Sequence, residues 1–324
     1  MFLLVARFER FVIESNKFFV RLTSNLLKFY KLGLGMQGAK SLTTKEVARI
    51  CRVSDATVKR WAEAGVLRSE RTNGGHRRFR AEEVARFQRE INLEQPQTCS
   101  DQSILRTVSA RAAKKFHSDS LLFQALVAGN EEEAGAILIN TFLQGEPLVE
   151  IFDREICGAM TRVGELWYAG ELSIAQEHLA TRTVLNAVQK LRNIVPAAES
   201  NGKIAMCCAI EGDFHELPTH LAQVALESVG WEVLNFGANT PLYALAEEAN
   251  EHKPNLICVS STIIPDIERA VRDFRNFRVE IAKTNAAVVL GGHAFADERV
   301  SSRFAANLTV KTFSHLTEFA ASRN

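Results

Sequence analysis

The sequence predicts a multidomain fold of mixed α and α/β class: a small winged helix-turn-helix head, a four-helix bundle and a doubly wound parallel sheet. Three observations carry that expectation. Basic residues concentrate near the N-terminus, apolar residues recur at helical spacing through the middle, and from residue 203 apolar strands alternate with helical segments. A chain of 324 residues that is 46% hydrophobic is long enough for two or three proper cores.

The head comes first. A net charge of +1 hides an uneven distribution: residues 41–90 carry 12 Lys/Arg against 7 Asp/Glu, residues 1–40 carry 7 against 2, and the other 234 carry 20 against 29. A basic end on an acidic body points to a polyanionic partner. Within residues 41–95, "SLTTKEVARICRVSDATVKRWAEAGVL" holds two short helical patterns. Thr43 or Thr44 is expected to cap the first, whose apolar face is Val47, Ala48 and Ile50. Ser54 or Asp55 caps the second, which buries Ala56, Val58 and Trp61, with Val66 beyond Gly65, and exposes Thr57, Lys59 and Arg60. Asn73-Gly74-Gly75 signals a tight turn, and Arg71, His76, Arg77, Arg78 and Arg80 around it form a basic wing able to reach phosphates.

An ordinary helical hairpin with a solvated charge run is the plainer account of any one piece. Helix, turn, helix and basic Gly-Gly wing in fixed order within fifty residues argue against it. The segment resembles the DNA-binding domain of the MerR family of transcription regulators, through Trp61-Ala62-Glu63-Ala64-Gly65-Val66 and the run from Arg71 to Phe79. That resemblance implies double-stranded operator DNA as partner and a dimer or higher multiple on a symmetric operator.

The flanking segments say less. Residues 1–40 are aromatic and basic, but Arg7, Glu9 and Arg10 interrupt any signal-peptide core. They are expected to be a poorly ordered extension or the product of a misplaced start codon ahead of Met36, without a function. Residues 96–118 read as a linker. The six cysteines form no CxxC pair, which fits a reducing cytoplasm, and no uncharged apolar run approaches the roughly 20 residues of a membrane span.

Residues 119–198 repeat apolar positions at helical spacing in four segments, with Gly129, Gly145 and Gly170 at their ends and Pro147 opening the third. "LWYAGELSIAQEH" is the distinctive stretch. Gly170 separates Trp167, at the end of one helix, from Glu177 and His178 within the next. Two antiparallel helices would bring an indole, a carboxylate and an imidazole to one surface. By themselves these residues read as a core tryptophan and a solvated Glu-His pair.

In residues 199–324 strands and helices alternate, a grammar that places ligand sites at the carboxyl ends of the strands. Asp213 and His215 fall after the first strand, Ser260 and Thr262 on a later one, and Gly291-Gly292 after the next. A histidine with a carboxylate two residues away suits a metal ligand, because the carboxylate orients the ring and raises its basicity. The Gly pair lets a bulky ligand approach backbone. After Asp213, His215 and Pro218 come 41 residues (219–259) to Ser260 and Thr262, then 28 (263–290) to Gly291-Gly292. This spacing resembles the cobalamin-binding domain. The resemblance implies that His215 is the lower axial ligand of cobalt with Asp213 behind it, and that Ser260 and the Gly pair house the displaced nucleotide tail. Pro218 departs from the pattern, which has glycine there.

A MerR-type head, a helical cap and a cobalamin domain in this order resemble the CarH/LitR family of light-responsive repressors, whose cap carries W-x9-E-H; Trp167, Glu177 and His178 match it. The resemblance implies that Trp167 packs over the upper ligand of adenosylcobalamin and Glu177 hydrogen-bonds its adenosyl group. The chain departs at Tyr168, where the family typically has the histidine that binds cobalt from above after photolysis. A phenol with a pKa of about 10 is a poor ligand for that role. The expected protein is therefore a non-enzymatic, cytoplasmic repressor and photoreceptor that assembles as dimer to tetramer. A light-independent sensor of cobalamin level, a corrinoid methyl carrier and a cofactor-free protein-interaction module stay open beside it.

Overall fold

Strand β1 (Ser41–Thr43) runs into helix α1 (Thr44–Ile50), followed by α2 (Asp55–Glu63) and a hairpin of β2 (Glu70–Arg71) and β3 (Arg77–Arg80). The computed structural model describes residues 41–51, 53–72, 74–81, 83–87 and 119–323; the N-terminal extension and the 96–118 linker lie outside the described residues. Thr43 caps α1 in a reciprocal box: its hydroxyl accepts from Glu46 N at 3.2 Å, and the Glu46 carboxylate accepts from Thr43 N at 2.7 Å. Ser54, not Asp55, caps α2. The three short strands form an antiparallel sheet in the order β1-β3-β2, with Leu42 opposite Phe79.

One expectation about the α2 side fails. Ala56 and Val66 were expected inside, but Ala56 is exposed and Val66 is 50% exposed, while Leu67 is fully buried. Gly65 sits at φ +72°, and the N–H groups of both Val66 and Leu67 turn back onto the Trp61 carbonyl. That helix-ending turn moves the inward position on by one residue. Trp61 stacks edge-on against Phe87 with ring centroids 4.8 Å apart.

The helical unit comprises α3 (Leu121–Val127), α4 (Glu131–Leu143), α5 (Cys157–Tyr168) and α6 (Ile174–Arg192). Ser120, Asn130 and Ser173 cap the first, second and last of these. The third segment, expected as one uninterrupted helix, passes through a π-helical stretch, Ile151–Ile156, before α5. Helices α4 and α6 lie close: a Cβ added at Gly135 would come 2.9 Å from the Lys190 side chain. One continuous apolar cluster joins the head, these helices and Leu221, Val224 and Ala225 of the next unit.

The C-terminal part alternates β4 (Ile204–Ala209), α7 (Leu217–Glu227), β5 (Glu232–Asn235), α8 (Leu242–His252), β6 (Leu256–Ser260), α9 (Ile267–Glu280), β7 (Ala287–Gly291), β8 (Leu308–Thr309) and α10 (Phe313–Ala321). All five strands run parallel in the order β5-β4-β6-β7-β8. The strands alternate between two cores: Met206 and Cys208 face Leu245 and Phe274, whereas Ala205 and Cys207 face Leu226 and Leu316. Strand order reverses at β4, between β5 and β6, and a crevice at the carboxyl ends of β4 and β6 is the usual ligand site of such sheets. Strand β8 and helix α10 were not expected from the sequence.

Candidate functional site

The loop after β4 carries Asp213 and His215 to this crevice. Asp213 is fully buried, and three N–H groups converge on it: its Oδ1 accepts from His215 N at 3.0 Å and His215 Nδ1 at 2.6 Å, and its Oδ2 accepts from Thr262 N at 2.5 Å. Burial works against the charged carboxylate, but the His215 ring and the two backbone donors outweigh it and hold Asp213 below the usual carboxylate range. The hydrogen bond to Asp213 lifts His215 above the ordinary imidazole range against the effect of burial, with the charges of Asp213 and Glu177 adding to it. With Nδ1 committed, the free Nε2 edge belongs to a side chain that is 47% exposed. Pro218, the departure from the sequence pattern, sits in the first turn of α7, where an N–H has no helical partner and proline is accommodated.

The helical unit carries Trp167, Glu177 and His178 where α5 turns into α6. The capping box at Ser173 starts α6 so that Glu177 falls in its first turn, and Gly170, at φ +72°, turns the chain back from α5. Trp167 is 47% exposed, so its indole is not the core residue that periodicity alone suggests. The Glu177 side chain is only 25% exposed; its Oε1 accepts from Thr181 Oγ1 at 2.8 Å and its Oε2 stands 3.6 Å from His178 Nε2. Tyr168 is 90% exposed. The position where the resembled family puts its upper cobalt ligand is thus turned to solvent.

At the strand ends, Ser260 ends β6 directly opposite Gly291 of β7. Its hydroxyl is buried and has no hydrogen-bond partner among the described residues, an orphaned group that a ligand atom would satisfy. The two glycines do different things. A Cβ on Gly292, at φ +99°, would lie 2.4 Å from the Ser261 carbonyl oxygen, so this residue is demanded by the chain's own backbone. A Cβ on Gly291 would meet nothing nearer than Val310 at 3.4 Å, and ligand approach remains the better account of that glycine.

Sequence reasoning missed Asn239 and Thr181. Asn239, at φ +52°, grips the histidine loop twice: Gly212 N donates to its Oδ1 at 2.8 Å, and its own N donates to Asp213 O at 2.8 Å. The Asn239-Thr240-Pro241 turn, separated from β5 by three residues, was the available signal. Thr181 stands one helical turn past Glu177, a spacing at which a hydroxyl reaches a carboxylate.

These residues fit a corrinoid. Among the described residues no group of three or more His, Cys, Asp or Glu could hold a bare metal ion. A single oriented imidazole suits a metal that brings its own equatorial ligands, and the orphaned Ser260 hydroxyl beside Gly291 suits a tail inserted between strand ends.

In the head, Lys59, Arg60, Arg71 and His76 are exposed and Arg78 is half-buried. Arg77 is tied to Glu63 at 2.8 Å, Arg80 to Glu70 at 2.7 Å, and the Thr57 hydroxyl bonds Ser54 Oγ at 2.9 Å. The basic hairpin is thus partly neutralised from within.

Comparison with known proteins agrees with this geometry. Residues 120–192 match the family described as a B12 binding domain, and residues 41–91 match a helix-turn-helix domain. The chain is 24% identical over 164 residues to dimethylamine corrinoid protein 1 of Methanosarcina acetivorans, covering 49% of this chain and 77% of that protein. It is 23% identical over 194 residues to the dimethylamine corrinoid protein of Methanosarcina barkeri, covering 58% and 91%. The structure of the Methanosarcina barkeri monomethylamine corrinoid protein superposes with a TM-score of 0.55 and 18% identity, over 65% of this chain and all of that one. That likeness is one of fold: helices packed on a Rossmann-like parallel sheet. Among the described residues no helix is long and apolar enough to cross a membrane.

Proposed function

We propose that this chain is a cobalamin-dependent transcription regulator, most similar in arrangement to the CarH/LitR repressors, and not an enzyme. The observation that carries the reading is the helix-turn-helix match at residues 41–91 on the same chain as the B12 match at residues 120–192 and the Asp213–His215 pair. His215 would hold cobalt from below through Nε2, with Asp213 and Thr262 fixing the ring. Ser260 and Gly291 would receive the nucleotide tail; Trp167, Glu177 and His178 would cover the upper face. Bound adenosylcobalamin would supply a light-labile cobalt–carbon bond. Lys59, Arg60, Arg71, His76 and Arg78 would meet operator DNA, with Thr57 and Arg77 shaping that surface. Copies of the chain would gain affinity by joining several heads.

A second reading has specific support: the corrinoid proteins to which 49–65% of the chain is similar are named for dimethylamine and monomethylamine. A methyl carrier has no use for a basic head, so DNA binding separates the two. The test is a duplex selected from a randomised pool, titrated with the cobalamin-loaded chain in darkness and after green light, with size-exclusion run on both samples. Sequence-specific binding that changes with light supports the photoreceptor. Specific binding that depends on cobalamin and ignores light supports a cofactor-level sensor, which the exposed Tyr168 favours. No preference among duplexes sinks the regulator and leaves the carrier.

A further inference from the structure

Helices α8 and α9 lie side by side on one face of the parallel sheet. They share an apolar cluster through Leu245, Ala246 and Ala249 of α8 and Val271, Phe274 and Phe277 of α9. Both return from parallel strands and so run in the same direction. They start at the same level, because Leu242 at the start of α8 and Asp266 at the cap of α9 line one cavity with Ile210. Their outer faces carry opposite charge. On α8 the exposed positions one turn apart are Tyr243, Glu247 and Glu251; on α9 they are Arg272, Arg275 and Val279. Other exposed charges of this layer pair with each other: Arg269 with Glu211 at 2.8 Å, and Arg303 with Glu268 at 2.7 Å. Glu247, Glu251 and Arg275 make no hydrogen bond or ion pair among the described residues, and Arg272 reaches only Asp273, at 3.6 Å. Val279 is 77% and Tyr243 62% exposed, so apolar surface accompanies both charged stripes.

We propose that these two faces form one self-complementary surface on which a second copy of this chain docks, about a twofold axis running between α8 and α9. Such an axis lays α8 of each copy along α9 of its partner, in parallel, and makes the same contact twice. The depths agree. Glu247 lies five residues after Leu242 and Arg272 five after Ile267; Glu251 lies nine residues and Arg275 eight after the same starts. At a rise of about 1.5 Å per residue, Glu247 and Glu251 meet the partner subunit's Arg272 and the partner subunit's Arg275 at matching levels. A polyanion would be repelled by the glutamates and a polycation by the arginines, which leaves a surface of the same mixed pattern as the fitting partner. The inference goes beyond the cofactor and DNA readings and depends on neither.

The test is sedimentation velocity on the full chain across the micromolar range, at low and at high salt. One variant carries Glu247→Arg and Glu251→Arg, a second carries Arg272→Glu and Arg275→Glu, and a third carries all four substitutions. All four positions are exposed, so the swaps leave the cores untouched. We expect the wild-type chain to form a dimer that weakens as salt is raised. Each double swap sets like charges together at both contacts and should weaken the dimer about a hundredfold. Mixing the two double variants should restore a dimer, and so should the fourfold variant, because each again sets arginine against glutamate. A merely destabilising effect of the swaps would not be reversed in this way. A wild-type chain that stays monomeric at every concentration overturns the proposal. So does a dimer indifferent to either double swap, or a loss that mixing does not restore.

Discussion

The helical unit meets its two neighbours in different ways. Toward the parallel sheet, the π-helical stretch presents Asp153 to the start of α10, where its carboxylate accepts from Phe313 N at 2.7 Å, Ser314 N at 3.0 Å and Ser314 Oγ at 2.8 Å. Phe152 packs edge-on against Phe313 beside it, and Arg192 grips Glu227 through two hydrogen bonds of 2.7 and 2.6 Å. Toward the head, polar contact runs through Glu132, which pairs with Arg49 of α1 at 2.6 Å and with Lys190 of α6 at 2.8 Å while remaining 56% exposed. Covered, multi-donor contacts are worth more than exposed ion pairs, whose charges water screens. The sheet is therefore locked to the helices, and the head is held chiefly by apolar packing with ion pairs at its rim.

Breaking the strong seam should have the largest effect. Asp153→Ala strands two backbone N–H groups at the start of α10 and should cost about 2–3 kcal/mol of unfolding free energy, read as a lower denaturant midpoint. Arg192→Ala should cost about 1–2 kcal/mol in the same measurement, since Glu227 keeps its bond from Gln223 at 2.9 Å. Glu132→Ala should lower global stability by less than about 1 kcal/mol. Hydrogen exchange sharpens the contrast: the α1 amides should exchange faster in Glu132→Ala while those of α10 do not change, and an equal response at both seams would erase the distinction. The smallest effect belongs to the head's own charges. Arg71→Ala should lower the log–log salt slope of DNA binding by about 1. Arg77→Ala should change it less, because Glu63 already neutralises that guanidinium.

Much of the fold was legible from local rules. The capping of α1 and α2, the alternation of strand and helix from residue 203, and the apolar faces of the long helices all follow from contacts within four residues or from a single period. The spacing from Asp213 through Ser260 to Gly291 likewise named a residue in the loop after β4 and the last residues of β6 and β7. What escaped was short or strained. Two-residue β8 offers no period to read, the π-helical stretch keeps a helical pattern while changing its hydrogen bonds, and the turn after Gly65 exchanged Val66 for Leu67 in the core.

The site divides along the same line. Sequence by itself determined which chemistry was present: a histidine with a carboxylate two residues off, a Glu-His pair ten residues after a tryptophan, and a basic turn behind two short helices. Only the tertiary structure decided what these groups face. It set Glu177 where its charge reaches His215, gave Asn239 the histidine loop to hold, buried the Ser260 hydroxyl without a partner, and turned Tyr168 to solvent. It also assigned Gly292 to the chain's own backbone and left room beside Gly291. The reason is range. Caps and periods are settled between residues a turn apart, whereas the crevice exists only where parallel strands far apart in the chain have paired and a separate helical unit has packed against them.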